Sequence, residues 1–325
     1  MTMAVTGSAR FESYLQFDAG IVEEAVLLAI AGHPEEPRFR GQRDRIYEIE
    51  DGEERERGFQ EFHASWFQRL GLDRPLAMAL QEESLLREKT WLCAVTPAAS
   101  PQDEGADLYG AAASPSGADG AKPAIAIKLR PKTLLNTSVL LPFLRHELMH
   151  VADMLDPRFG YEPFLPQFGL GSSHDNLVRE RYRILWDTWI DGRLRRRGLA
   201  GPISRHTRWT QFLATFPCLG PAAQEAFTKL YESDVQTHRA LLEVAQSPET
   251  TFHRPQDPAH RARHCPLCRF PAYHFANVAE LPAGALNEIA ADYPNWRAEE
   301  TLCIQCADLY RARCSTLESS KRGQN

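Results

Sequence analysis

Two histidines four residues apart, with a glutamate beside the first, are the residues whose types and spacing point most directly to chemistry: His146-Glu147-Leu148-Met149-His150. On an α-helix, positions four apart lie on one face about one turn apart, so His146 and His150 can offer their imidazoles to one ion. Glu147 is offset by about 100° around the axis, on the side where a water held by that ion would sit. Zinc takes nitrogen ligands at about 2.0–2.1 Å, and a catalytic site keeps one position for water, whose pKa falls toward about 7. A carboxylate placed like Glu147 then takes the proton as the water attacks a carbonyl. A bare pattern of three fixed positions also arises by chance on helices rich in Glu and His. The context raises its weight: Leu144, Leu148, Val151 and Leu155 form an apolar stripe, which predicts a helix buried on one side. Two imidazoles and a carboxylate at that depth require a partner, and a metal is one.

A second donor set lies near the carboxy terminus. Cys265-Pro266-Leu267-Cys268 and Cys303-Ile304-Gln305-Cys306 are separated by 34 residues. Four thiolates in two such turns suit a closed tetrahedral zinc site with sulfurs about 2.3 Å from the ion. The separation exceeds the usual spacing of about 15–20, which predicts an insertion between the two knuckles. His264 could replace a cysteine, although four sulfurs suffice. Cys93, Cys218 and Cys314 have no partner in sequence and read as buried or idle thiols. Seven cysteines, four of them in these pairs, suit thiolate ligands in a reducing compartment better than a disulfide framework. The expectation is a cytoplasmic protein with two zinc ions, one catalytic and one structural.

Two histidines and a water do not complete a zinc site, and several residues compete to be the third ligand. Asp153 faces the same way as His146 but lies about 10 Å along the axis from it, which suits a supporting role better. Asp156 follows His150 by six residues, without the glycine that would help the chain turn back. His174 opens the second long helix. Within Trp186-Asp187-Thr188-Trp189-Ile190-Asp191 the two aspartates are four apart, Glu180 shares their face, and the flanks are apolar. Asp187 is the preferred ligand, with Asp191 accepting a hydrogen bond from a ligating imidazole. The competing reading pairs these aspartates with Arg181, Arg183 or Arg193 as a structural ion network.

These residues must be positioned by a largely helical α+β framework. Residues 11–95 read as helical: an apolar run Ile21 to Ile30, a charged stretch from Arg43 to Leu70 with Ile46, Phe59, Phe62, Trp66 and Phe67 on one face, and a short helix Leu76 to Leu86. His63 in the charged stretch reads as a packing residue. Trp91 to Val95 reads as a strand. Pro97 to Lys122, rich in Ala, Gly, Ser, Pro and Asp, reads as a flexible loop. Ala124 to Arg130 alternates Ile125, Ile127 and Leu129 as a half-buried strand, whose free edge could pair with an extended peptide. Pro142 is expected at the start of the motif helix, and Asp156-Pro157 at its end. A loop over 160–173 leads to a second long helix, from about Asp175 to Arg197, closed by Gly198.

Further helices follow at Trp209 to Phe216 and Ala222 to Ala245. His206, Tyr231 and His238 are groups able to polarise a carbonyl, singled out by no spacing. Arg193 to Arg197 reads as a solvated helix end. The expected division is 1–96, a helical amino-terminal region; 97–122, a loop; 123–246, the metal-binding domain; 247–260, a linker; 261–316, the four-cysteine module; and 317–325, a tail.

The 325 residues, 43% apolar and 25% charged, are ordinary for a globular protein. A net charge of −6 gives no reason to expect a nucleic-acid or acidic-lipid partner for the chain as a whole. No apolar run approaches the roughly 20 residues of a membrane span, and Met1 to Gly20 does not read as a secretory signal.

The pattern His146-Glu147-x-x-His150 followed by Asp187-x-x-x-Asp191 resembles the zincin metallopeptidases, and within them the gluzincin group, over roughly residues 123–200. That resemblance implies a motif helix, a later helix delivering the third ligand, and a small sheet with an edge strand over the cleft. The group places Glu where this chain has Asp187, so the shorter side chain must bring its helix closer. The carboxy-terminal cysteines resemble a zinc ribbon or a treble-clef-like module. Three functions follow as expectations. The first is a zinc-dependent hydrolase, acting on a peptide or protein with Glu147 as the catalytic base. The second is a protease resembling the Spartan-like DNA–protein crosslink enzymes, with His174 as third ligand. The third is a non-catalytic zinc-binding scaffold.

Overall fold

The computed structural model describes residues 14–110, 122–163, 172–252, 263–272, 274–299 and 301–322. The protein is a mostly helical α+β structure with a small mixed sheet and a four-cysteine cluster near its carboxy terminus. The chain divides into two compact units. The first comprises Met1–Leu165, Ile184–Phe212 and Phe227–Leu241; the second comprises Pro166–Arg183, Leu213–Ala226 and Leu242–Asn325.

The first unit is built on a four-stranded sheet. β1 (Leu15–Phe17) pairs in parallel with β2 (Leu92–Pro97), β2 in parallel with β4 (Ala124–Leu129), and β3 (Gly105–Tyr109) antiparallel with β4, so the order is β1-β2-β4-β3. Cys93 and Val95 of β2 and Ile125, Ile127 and Leu129 of β4 are fully buried, the alternation expected of strands with one face on a core. That core takes Ile21 and Val26 from α1 (Ala19–Ile30), Phe39 from α2 (Glu36–Ile46) and Trp66 and Phe67 from α3 (Gly52–Arg69). Leu76 of α4 (Arg74–Gln81), Leu86 of α5 (Ser84–Lys89) and Leu134 of α6 (Pro131–Leu134) join it. The motif helix α7 (Thr137–Leu155) adds Leu140, Leu144, Leu148 and Val151. The helices of 1–96 and the motif helix therefore share one core.

Several sequence expectations are corrected here. The stretch 97–122 is not wholly loop: Gly105–Tyr109 is strand β3, while 111–121 lies outside the described residues. β4 has no free edge, being paired on both sides; the edge next to it is β3. Residues 11–95 hold β1 as well as helices. Pro142 sits inside α7 rather than at its start, because burial of Leu140 extends the apolar stripe one turn further back. The tertiary contact outweighs the hydrogen bond that proline cannot give. The helix does end at Leu155, before Asp156 and Pro157.

The second long helix, α8, spans Ser172–Arg196 and is followed by Gly198, whose φ of 72° only glycine adopts readily. From Ile184 to Ile190 every residue of α8 is buried, Asp187 and Thr188 included. α9 (Arg205–Thr215), α10 (Ala223–Tyr231) and α11 (His238–Gln246) follow. The expected linker 247–260 begins as a short helix, α12 (Pro248–Phe252); its remainder lies outside the described residues.

In the second unit, β5 (Arg263–His264) and β6 (Pro271–Ala272) form a hairpin, and β7 (Phe275–Ala276) pairs with β8 (Leu302–Cys303). The insertion expected between the cysteine pairs contains α13 (Ala283–Asp292), whose Ala285 and Ile289 share a small core with Ala307 and Tyr310 of α14 (Ile304–Arg322). Among the described residues no helix is long and apolar enough to cross a membrane.

Candidate metal centres

α7 and α8 bring His146, His150 and Asp187 together, as the one group of mixed His and Asp donors among the described residues that could hold a metal ion. His146 Nε2 lies 3.3 Å from His150 Nε2, His150 Nε2 3.1 Å from Asp187 Oδ1, and His146 Nε2 3.5 Å from Asp187 Oδ1. Three corners of a tetrahedron around zinc, with bonds of about 2.0–2.1 Å, are about 3.3 Å apart. The three donors thus form a triangle of the size a zinc ion requires. The side chains of His146, Asp187 and His150 are 5%, 9% and 14% exposed, so His150 is the most open of the three.

The donors are held by a second layer of contacts. His146 Nδ1 lies 2.9 Å from Asp191 Oδ1; donation of the Nδ1 proton to that carboxylate leaves the Nε2 lone pair for a metal. The His150 ring meets the Trp186 ring edge to face, with centroids 4.5 Å apart. Trp186 in turn donates from its indole nitrogen to Asp153 Oδ2 at 2.7 Å, and Arg193 donates to both oxygens of Asp153. Asp153 therefore orients a neighbour of the site, consistent with its seven-residue distance from His146.

The electrostatics suit a cation. Burial lowers the affinity of His146 for a proton, but hydrogen bonds to Asp187 and Asp191 outweigh it and raise the imidazole to about 9. Burial would raise Asp187, yet His146 and His150 hold its carboxyl well below the usual range. Without a metal, a proton on His146 helps balance the buried carboxylates of Asp187 and Asp191, and a divalent ion would take that place.

Glu147 points to the edge strand. Its Oε2 accepts from the Ala106 backbone N–H at 3.3 Å, and a Cβ at Gly105 would lie 3.3 Å from the same oxygen. The carboxylate thus stands between the helix that carries the imidazoles and the first residues of β3.

One functional residue was not foreseen. Arg208 of α9 donates from Nε to Asp191 Oδ2 at 2.7 Å and from a terminal nitrogen to Asp187 Oδ2 at 2.9 Å. The expected partners are engaged elsewhere: Arg181 with the Ala245 carbonyl, Arg183 with Glu180, and Arg193 with Asp153. A signal was present in the sequence. Arg208 and Phe212 are four apart, so the arginine occupies the apolar stripe of its helix, and both are buried.

The other candidates lie outside the donor group. Asp156 is gripped by Arg158 at 2.8 Å, and Glu180 by Arg183 at 2.6 Å. His174 stacks on Phe270 with centroids 5.4 Å apart. His238 packs against Tyr161, and Tyr231 stacks on Phe227.

The ligand atoms of Cys265, Cys268, Cys303 and Cys306 all lie within 4.8 Å of one another. Cys268 Sγ and Cys303 Sγ are 3.8 Å apart, matching the edge of about 3.8 Å for a tetrahedron with zinc–sulfur bonds of about 2.3 Å. The first pair sits in a tight knuckle: Arg269, at φ 60°, donates its N–H to the Cys265 carbonyl at 2.8 Å. The second pair straddles the junction of β8 and α14, where the Cys306 N–H reaches Cys303 Sγ at 3.4 Å. Hydrogen bonds from the other three thiols hold Cys265 far below the usual thiol value, while Cys268 and Cys306 are pushed far above it. Four sulfurs this close cannot all ionise without a cation. Cys93, Cys218 and Cys314 are buried and form no disulfide.

The two donor clusters mark the protein as a candidate metal binder at two places; no family model, no curated protein and no solved structure matches the chain.

Proposed function

We propose that the protein is a zinc-dependent hydrolase whose substrate is a peptide or protein, with His146, His150 and Asp187 holding the catalytic ion. The observation that carries this reading is the triangle of donor atoms on α7 and α8, 3.1–3.5 Å on a side, with Glu147 next to it in the chain. Zinc at this place would supply a Lewis acid and a water of lowered pKa, about 7 in comparable sites. Glu147 takes the proton from the attacking water and returns it to the leaving nitrogen. Asp191 keeps His146 in the tautomer that presents Nε2. β3, at the edge of the sheet and bonded to Glu147 through Ala106, offers main-chain groups to an extended substrate.

Asp187 also bears on the choice between readings. It fills the position that a Spartan-like enzyme would give to a histidine, so His174 is not needed there. The four-cysteine cluster is assigned a structural zinc. Its second pair at a strand-to-helix junction favours a treble-clef-like arrangement over a ribbon of two hairpin knuckles.

Glu147→Gln tests the proposal against a non-catalytic scaffold. The variant is expected to keep its metal and lose hydrolysis of a fluorescently labelled unfolded protein by about 10²–10⁴-fold, the range for a positioned acid–base group. Equal turnover in the two proteins, or none in the metal-loaded wild type, would overturn it.

A further inference from the structure

Asp187 has two carboxylate oxygens, and only Oδ1 is turned toward the imidazoles. Oδ2 accepts from Arg208 at 2.9 Å. That guanidinium is itself fixed: its Nε donates to Asp191 Oδ2 at 2.7 Å, its other contact is Gln211 Oε1 at 2.9 Å, and its side chain is 5% exposed. α9 is anchored by Trp209 and Phe212, whose rings lie 5.2 and 5.5 Å from that of Phe227. The Ser204 hydroxyl caps the helix by accepting the Thr207 N–H. Turning Oδ2 toward a metal would take a charge-assisted hydrogen bond from a buried guanidinium that no water can reach to replace it, leaving it only Asp191 and Gln211.

We propose that Arg208 is a positioning residue that restricts Asp187 to single-oxygen coordination of the metal, so that the ion keeps a position for substrate beside its water. The inference rests on the metal site proposed above and adds what sets its coordination number. Zinc passes readily between four and five ligands, and a second carboxylate oxygen would take the place a substrate carbonyl needs. The cation also opposes the metal through the shared carboxylate. Its removal should therefore strengthen zinc binding, whereas a merely structural arginine would weaken binding or leave it unchanged when removed.

The test uses the full chain as wild type, Arg208→Met and Arg208→Lys. Each is measured for zinc affinity by chelator competition and for ligand geometry in zinc-loaded crystals. In the wild type, Asp187 Oδ2 is expected on Arg208 and away from the ion. Arg208→Met is expected to bind zinc about tenfold more tightly, the reverse of the roughly 10–100-fold loss usual when a partner of a metal ligand is removed, with both Asp187 oxygens on the ion. Lysine keeps the charge but lacks the fork that spans two carboxylates, so Arg208→Lys should release Oδ2 even if the methionine variant does not fold. Two-oxygen coordination in the wild type overturns the inference alone, as does single-oxygen coordination with unchanged or weaker affinity in the variants. A wild type with no metal on His146 and His150 removes the metal site itself, and this inference with it.

Discussion

The contact between His146 Nδ1 and Asp191 Oδ1, at 2.9 Å, decides which nitrogen of the imidazole a metal would meet. Asp191→Asn keeps the shape but loses the charge that holds the proton on Nδ1. Zinc affinity is expected to fall by about 10–100-fold in chelator competition, with the four-cysteine site unaffected. His63 makes a different point about buried imidazoles. It lies among Phe39, Phe59 and Phe62 with Nε2 unpartnered, and burial is the largest influence, lowering its pKa from the usual imidazole value. The unfolded chain therefore takes up this proton first as pH falls through about 6.5. Stability contributed by neutral His63 is present above that pH and is lost toward the lower folded value. His63→Phe should flatten the loss between pH 6.5 and 5 by at most about 1.4 kcal/mol per pH unit, read from urea unfolding at each pH.

α8 is buried all round where it carries the site, so its neighbours approach closely. A Cβ on Gly192 would lie 1.8 Å from the Tyr231 carbonyl oxygen, a backbone atom with nowhere to go. Arg196 donates to that same carbonyl at 2.5 Å. Gly192→Ala is expected to destabilise the protein by about 3 kcal/mol or more, at or above the upper end of overpacking costs, measured by chemical denaturation. Its effect should exceed that of Gly41→Ala in α2, where a Cβ meets nothing within 4 Å. β3 is short, at the sheet edge, and tied to the motif helix through Ala106 and Glu147. It is positioned by pairing with β4, by the Glu147 carboxylate, and by Ala106 and Leu108, which pack half-buried against the core.

Two donor clusters lie in different compact units of the chain: the imidazole site in the first and the cysteines in the second. Elemental analysis is expected to find two zinc ions per chain. Replacing His146 and His150 with Ala should remove one of them, and replacing Cys265 and Cys303 with Ser should remove the other. The cysteine variant should also become sensitive to protease within 263–322. A core as small as that around Ala285, Ile289 and Ala307 is expected to need a metal on the four cysteines to hold its fold. One zinc, or two lost together, would contradict this division.

Much of the site was legible because it is local. His146 and His150 are one helical turn apart, Asp187 and Asp191 likewise, and the cysteine pairs are tight turns, so period and chemistry alone placed each set. The buried flanks of Asp187 announced that its charge needed a partner, but not which one. That required the packing of α9, which delivers Arg208 from 21 residues away. The same holds for β3: Gly-Ala-Asp-Leu-Tyr, in a stretch whose only sizeable apolar residues are Leu108 and Tyr109, reads as loop until β4 offers it a ladder of hydrogen bonds. Spacing along a helix specifies which side chains can share an ion; only long-range contacts decide which charges balance them and which strand lies beside them. Those choices depend on neighbours that no local pattern encodes.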